Sequence, residues 1–139
     1  MAGERTVHAR WDGDLRAIVQ AGDHEIVVDE PRSVAGGTDR GPQPTELLLA
    51  SVASCFTISI AYSARKRHLP LAGLDVRVTG AYDGPQFRAI RIVVHAAQPG
   101  GDDLARLVES AKRVCYVTRT LTLGPEISVQ IDGAGGDLP

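Results

Sequence analysis

The 139-residue chain has no asparagine, two cysteines, one tryptophan and few aromatic side chains of any kind. Each shortage removes a class of function. Without asparagine the Cys/His/Asn arrangement of one group of thiol hydrolases cannot be assembled, unless an aspartate stands in. His8, His24, His68 and His95 are scattered, and no spacing marks one of them as a base. Neither a CxxC nor an HxxxH pair occurs, so clustered metal ligands are not expected. Glycine pairs at 36, 100 and 135 lie in loops or in the tail and do not continue into a dinucleotide-binding fingerprint. Positive charge is not in excess either: the formal net charge is −2, which gives no electrostatic footprint for nucleic acid. At the start, "MAGERTVHARWDGD" puts charges where an export leader would carry its apolar run. The expectation is a reducing, cytoplasmic setting in which Cys55 and Cys115 rest as thiols.

One long apolar run is present. No charge falls between Glu46 and Arg65, and "RKRH" follows at once, superficially the pattern of a membrane span with a positive flank. Ser51, Ser54, Thr57, Ser59 and Ser63 dilute it, however, and a helix apolar nearly all round is normal at the centre of a soluble fold. Pro44 suits the first helical position and Glu46 the positive end of the helix dipole. A helix is therefore predicted over about 44–68, enclosed by other protein rather than by lipid.

Before it, the runs 5–11, 15–20 and 25–29 are short and alternating, separated by "DGD" and "AGDH", which predicts an antiparallel meander. The stretch 30–44 is rich in glycine and proline, and its length marks it as a candidate functional loop. After the helix, 74–79 and 87–97 form a second hairpin across "YDGPQ". Leu104, Leu107, Val108, Ala111 and Cys115 then make one helical stripe, with Asp102 and Asp103 suiting its N-terminus. A last strand is predicted at 126–131 and a frayed tail at 132–139. Strands and helices segregate, so the fold class is α+β, in a single domain spanning 1–139.

Two readings of Cys55 stand side by side. Free cysteine is among the most buried residue types, and this one can be simple packing. A reactive thiolate needs a nearby cation, because Cys55 sits about three turns into its helix, beyond the help of the dipole. Arg16, Arg32 and Arg40 are the candidates, each of which can also be a solvated surface group. Cys115 is the natural partner thiol if the Cα atoms approach within about 7 Å. Val52, Phe56 and Ile58 near Cys55 suit either an apolar substrate or the core.

The stretches "GPQPTELLLASVASCF" and "RVCYVTRTLTLGPEISVQI" resemble the two signature regions of the OsmC/Ohr family, the osmotically inducible and organic hydroperoxide resistance proteins. The resemblance covers nearly the whole chain. It implies antiparallel sheets wrapped around long central helices in an intertwined homodimer. It also implies a peroxidase in which Cys55 attacks an organic hydroperoxide and becomes a sulfenic acid, Cys115 condenses with it, and a dithiol or lipoylated protein resets the pair. No metal, haem or flavin cofactor is implied, nor any nucleic-acid or membrane partner. In such peroxidases a glutamate directly after the helix-opening proline holds an arginine against the thiolate. Here Thr45 occupies that position and Glu46 follows it, a shift that turns a side chain by about 100° on a helix. Arg40 and Arg16 lie in the regions that supply the arginine. The alternative reading is a non-catalytic dimer of the same fold that binds a small apolar ligand or senses redox state; thiol-dependent acyl hydrolysis is a third.

Overall fold

In the computed structural model, which describes residues 3–132, three strands lead into a long helix, followed by two strands and two helices. The expected tail at 132–139 falls, apart from Asp132, outside the described residues. The α+β class with antiparallel sheets is as the sequence indicates. Two compact units form: one takes the chain up to Ser54 together with Asp75–His95, the other takes Cys55–Leu74 and the chain from Ala96 onward.

In the first unit, β1 (His8–Trp11), β2 (Ala17–Ala21) and β3 (His24–Val28) make a three-stranded antiparallel meander. Its first turn uses the glycine and aspartates of "DGD": Gly13 and Asp14 both take positive φ, and the Trp11 indole N–H donates to the Asp14 carbonyl at 2.9 Å. The predicted second hairpin is β4 (Asp75–Asp83) and β5 (Gln86–His95), whose apolar residues alternate as a sheet with one solvated face requires. Ile18, Val28 and Val52 are buried in this unit.

The loop after β3 is folded back upon that strand. Asp29 N–H donates to the Pro42 carbonyl at 3.0 Å, and any Cβ at Gly41 would run into the Val27 carbonyl oxygen. Only glycine permits so close an approach of two backbones. This return delivers the chain to α1 (Pro44–Lys66).

Helix α1 begins with one half of a capping box. Gln43 is the N-cap, Pro44 takes the first helical position, and the Glu46 carboxylate reaches back to accept the Gln43 N–H at 3.0 Å. It ends in a Schellman motif: His68 is left-handed at φ 57, its N–H meets the Arg65 carbonyl, and the Leu69 N–H meets that of Ala64. Two residues short of the predicted end, the helix stops at Lys66. Val52, Phe56, Ile60 and Ala64 form its buried stripe at four-residue spacing, joined by Ser59 and Ser63. Leu48, Ile58 and Tyr62 are exposed, so within one chain α1 buries one face rather than its whole circumference. By length and composition it is also apolar enough to cross a membrane.

In the second unit, α2 (Gly101–Val114) carries Asp102 and Asp103 in its first turn, as predicted. Its buried residues, Leu107, Ser110 and Ala111, share the unit's core with Phe56, Ile60 and Ala64. Burial of side chains such as Leu107 and Ile60 stabilises by about 1.5–3 kcal/mol each. Arg67 donates to the Ser110 hydroxyl at 3.0 Å, which ties α2 to the end of α1.

Two expectations are corrected here. Cys115 is not within α2 but at the break after it, at φ −75 and ψ 106, and a further helix, α3 (Tyr116–Leu123), starts at once. Thr120 and Thr122 turn their hydroxyls onto the carbonyls four residues back, which lets β-branched residues sit in a helix they do not favour. Gly124, left-handed at φ 65, closes it. The strand predicted at 126–131 is absent: the segment is irregular, and Ile127, Val129 and Ile131 are almost fully exposed. A strand needs a neighbour for its N–H and C=O groups, and among the described residues this segment has none.

Candidate thiol site

Helix α1 and the break between α2 and α3 bring Cys55 and Cys115 together within the second unit. Both are free thiols, and Cys55 is near enough to Cys115 to help lower its pKa. Their surroundings differ. Cys55 is half-buried, whereas Cys115 is 0% exposed. An incoming reagent therefore meets Cys55 first.

Cys115 occupies the N-cap of α3, the place where a side-chain acceptor meets free helix amides. Burial among hydrocarbon is the largest single influence on its thiol and pushes the pKa up. The Thr118 hydroxyl, the Thr118 and Val117 amides and the Cys55 thiol together outweigh it, and the net direction is down from the ordinary thiol value. No side-chain hydrogen bond caps the helix at Cys115. The Thr118 hydroxyl itself donates to the Cys115 carbonyl at 3.3 Å. Sequence reading missed Thr118; the signal was a cysteine three residues ahead of a hydroxyl residue, the N-cap to N3 spacing.

Arg16, Arg40, Thr45 and Glu46 lie in the first unit and make hydrogen bonds of their own there. Arg16 is held by Asp12 at 2.9 Å, by the Asp12 carbonyl and by the Thr38 hydroxyl at 3.1 Å; its pKa is raised, chiefly by the Asp12 hydrogen bond. The Arg40 amide donates to Asp29 at 3.1 Å. Glu46 caps α1, and the Thr45 hydroxyl pairs with the Tyr82 hydroxyl at 2.7 Å beside the Tyr82–Phe87 ring contact. Arg32 is exposed or nearly so and enters no ion pair among the described residues. Val52 and Phe56 are core, while Ile58 is 68% exposed. No group of His, Cys, Asp or Glu able to hold a metal ion occurs among the described residues.

A family model described as OsmC-like protein matches residues 37–130, a span that includes both cysteines. The chain belongs to the OsmC-like family. Among solved structures, this OsmC-like chain is 26% identical to a provisionally named osmotic stress induced and detoxification response protein of Psychrobacter arcticus 273-4, with 86% of this chain and 90% of that one covered and a TM-score of 0.71. It is likewise 26% identical to a provisionally named organic hydroperoxide resistance protein of Vibrio cholerae O1 biovar eltor str. N16961, which holds captopril in one of its active sites (86% and 87% covered, TM-score 0.59). The organic hydroperoxide resistance protein OhrB of Bacillus subtilis, 21% identical over 85% of this chain and 90% of its own, shares the fold at a TM-score of 0.59. No curated protein matches significantly.

Proposed function

We propose that this OsmC-like protein is a thiol-dependent peroxidase that reduces organic hydroperoxides to alcohols. The observation that carries the reading is the presence in one unit of two free thiols of unequal exposure, Cys55 half-buried and Cys115 fully buried. The Cys55 thiolate attacks the outer peroxide oxygen, the O–O bond breaks, and an alkoxide leaves and is protonated to the alcohol. Cys55 is now a sulfenic acid. Cys115 attacks its sulfur, a disulfide forms and water leaves. A dithiol, free or as a lipoylated protein, exchanges with that disulfide and restores both thiols. The chemistry uses no cofactor.

In the same reading the working form is a homodimer in the cytoplasm, with no nucleic-acid or membrane partner. A second copy would cover the apolar residues that one chain leaves open on α1, Leu48, Ile58 and Tyr62, and would supply a neighbour for 126–131. The test is turnover of cumene hydroperoxide with a dithiol reductant. Cys55→Ser should abolish it, and Cys115→Ala should permit one round of oxidation only. Turnover that survives without Cys55 refutes the proposal.

A further inference from the structure

Positive charge gathers in the second unit at the C-terminal ends of α1 and α2. Arg65, Lys66, Arg67 and His68 follow one another where α1 stops, and Lys112 and Arg113 lie in the last turn of α2. Lys112 is answered by Glu109 at 3.2 Å and Arg106 by Asp103 at 2.8 Å, whereas Arg67 and Arg113 enter no ion pair among the described residues.

Those two arginines share an acceptor instead. Both guanidiniums donate to the Ser110 hydroxyl oxygen, Arg67 from just past α1 at 3.0 Å and Arg113 from the next turn of α2 at 3.4 Å. Ser110 is buried, at 8% exposure, while both arginines are exposed. With two N–H groups accepted, the Ser110 oxygen has no lone pair left, and its own proton goes to no acceptor among the described residues. The further N–H groups of each guanidinium have none there either. Helix C-termini favour cations, which accounts for the sign of the charge. It does not account for the convergence. Arg65 and Arg119 are likewise exposed and outside any ion pair among the described residues, yet the Ser110 oxygen gathers neither. Two like charges brought to one atom repel each other, and an anion lying between them turns that repulsion into attraction.

We propose that Arg67, Arg113 and Ser110 form an anion site whose ligand is a phosphoryl group, free as inorganic phosphate or carried by a small phosphate monoester. A planar guanidinium meets phosphate through two parallel N–H bonds, and a pair of guanidiniums matches its double negative charge. A carboxylate, with one charge and two oxygens, leaves part of this donor set unused. Ser110 holds one N–H of each arginine, so both forks are fixed before the ligand arrives. Its uncommitted proton is one more donor available to the anion. The site draws nothing from the thiol chemistry and stands apart from the peroxidase reading.

Isothermal titration calorimetry of the reduced, full-length chain at pH 8 tests this, with inorganic phosphate, phenyl phosphate and acetate as probes and ionic strength held constant with sodium chloride. Saturable binding of one phosphate per chain is expected. Equal affinity for the two phosphates assigns the site to the free anion, and tighter binding of phenyl phosphate assigns it to an organic monoester. Arg113→Gln should weaken binding by about tenfold, the loss of one charge-assisted contact. Arg113→Lys, which keeps the charge without the fork, should recover only part of that loss. Because the Arg113 bond lies within its own helix, these variants leave the Arg67 tie between α1 and α2 in place. Ser110→Ala should weaken binding with no change of charge, and Arg119→Gln should leave it as in wild type. No saturable heat with either phosphate overturns the inference, as does wild-type affinity in Ser110→Ala. Equal losses in Arg119→Gln and Arg113→Gln also sink it, since they mark a diffuse positive field, and acetate binding as tightly as phosphate removes the phosphoryl assignment.

Discussion

Asp29 in the first unit and Cys115 in the second are buried alike and held differently. Each is almost wholly buried, at 1% and 0% exposure, but the Asp29 carboxylate accepts from three backbone amides and the Thr38 hydroxyl, whereas the Thr118 hydroxyl near Cys115 donates to its carbonyl. At Asp29 the Thr38 hydroxyl is the foremost influence; with the Arg40, Glu30 and Thr38 amides it overcomes burial and lowers the pKa to about 2. At Cys115 burial is foremost, and the neighbouring donors together still bring the pKa down. The donors also come from different distances along the chain. Those of Asp29 reach it from up to eleven residues on and so close a loop, while the groups that lower the Cys115 pKa are the first residues of α3 and Cys55. A carboxylate held in this way serves as a structural post for its loop.

The largest effect on folding should come from Asp29→Ala, which leaves the Glu30, Thr38 and Arg40 donors without their acceptor in the loop that leads into α1. Its urea midpoint should fall well below that of Cys115→Ala, for which about 1 kcal/mol is expected; equal midpoints would erase the contrast. Next is acid. Because the folded Asp29 pKa lies below its ordinary 3.8, its contribution to stability is complete above that value and disappears as pH falls through about 2. Circular dichroism against pH should show this loss in wild type and not in Asp29→Asn. For Cys115 the sign is the same at the alkaline end: its contribution is complete above the ordinary thiol value and is lost as pH falls through the folded one. Urea midpoints from pH 7 to pH 10 should therefore rise slightly in wild type relative to Cys115→Ala. The smallest effect belongs to Glu46→Ala, roughly 0.5–1 kcal/mol from the lost cap, with Cys55 alkylation unchanged. A slowing of tenfold or more there would return Glu46 to the thiol's service.

The long helix was legible in the sequence because its ends are chemically explicit: Pro44 and Glu46 open it, and the basic run with Pro70 closes it. Both hairpins were legible from alternation and turn residues. Helix α3 was not, since "YVTRTLTL" is threonine-rich and reads as extended unless one knows that its hydroxyls bond back along a helix. Conversely, "EISVQI" has a strand's alternation, but alternation says nothing of whether a neighbour exists to pair with. The cysteines were found by type and spacing. Their unequal exposure and Thr118 were not, because both depend on where the chain breaks between α2 and α3. Asp29 passed for the polar end of a strand; its signal was an acid placed between a buried run and a glycine-rich loop.

The segment after Gly124 has a consequence for anyone handling the protein. Over 126–131 the chain forms a ribbon with greasy side chains at every second position and no backbone partner among the described residues, the kind of edge that invites pairing with another chain. If that edge pairs, dilution becomes a variable in its own right, and thermal midpoints gathered at nanomolar and at millimolar protein should differ.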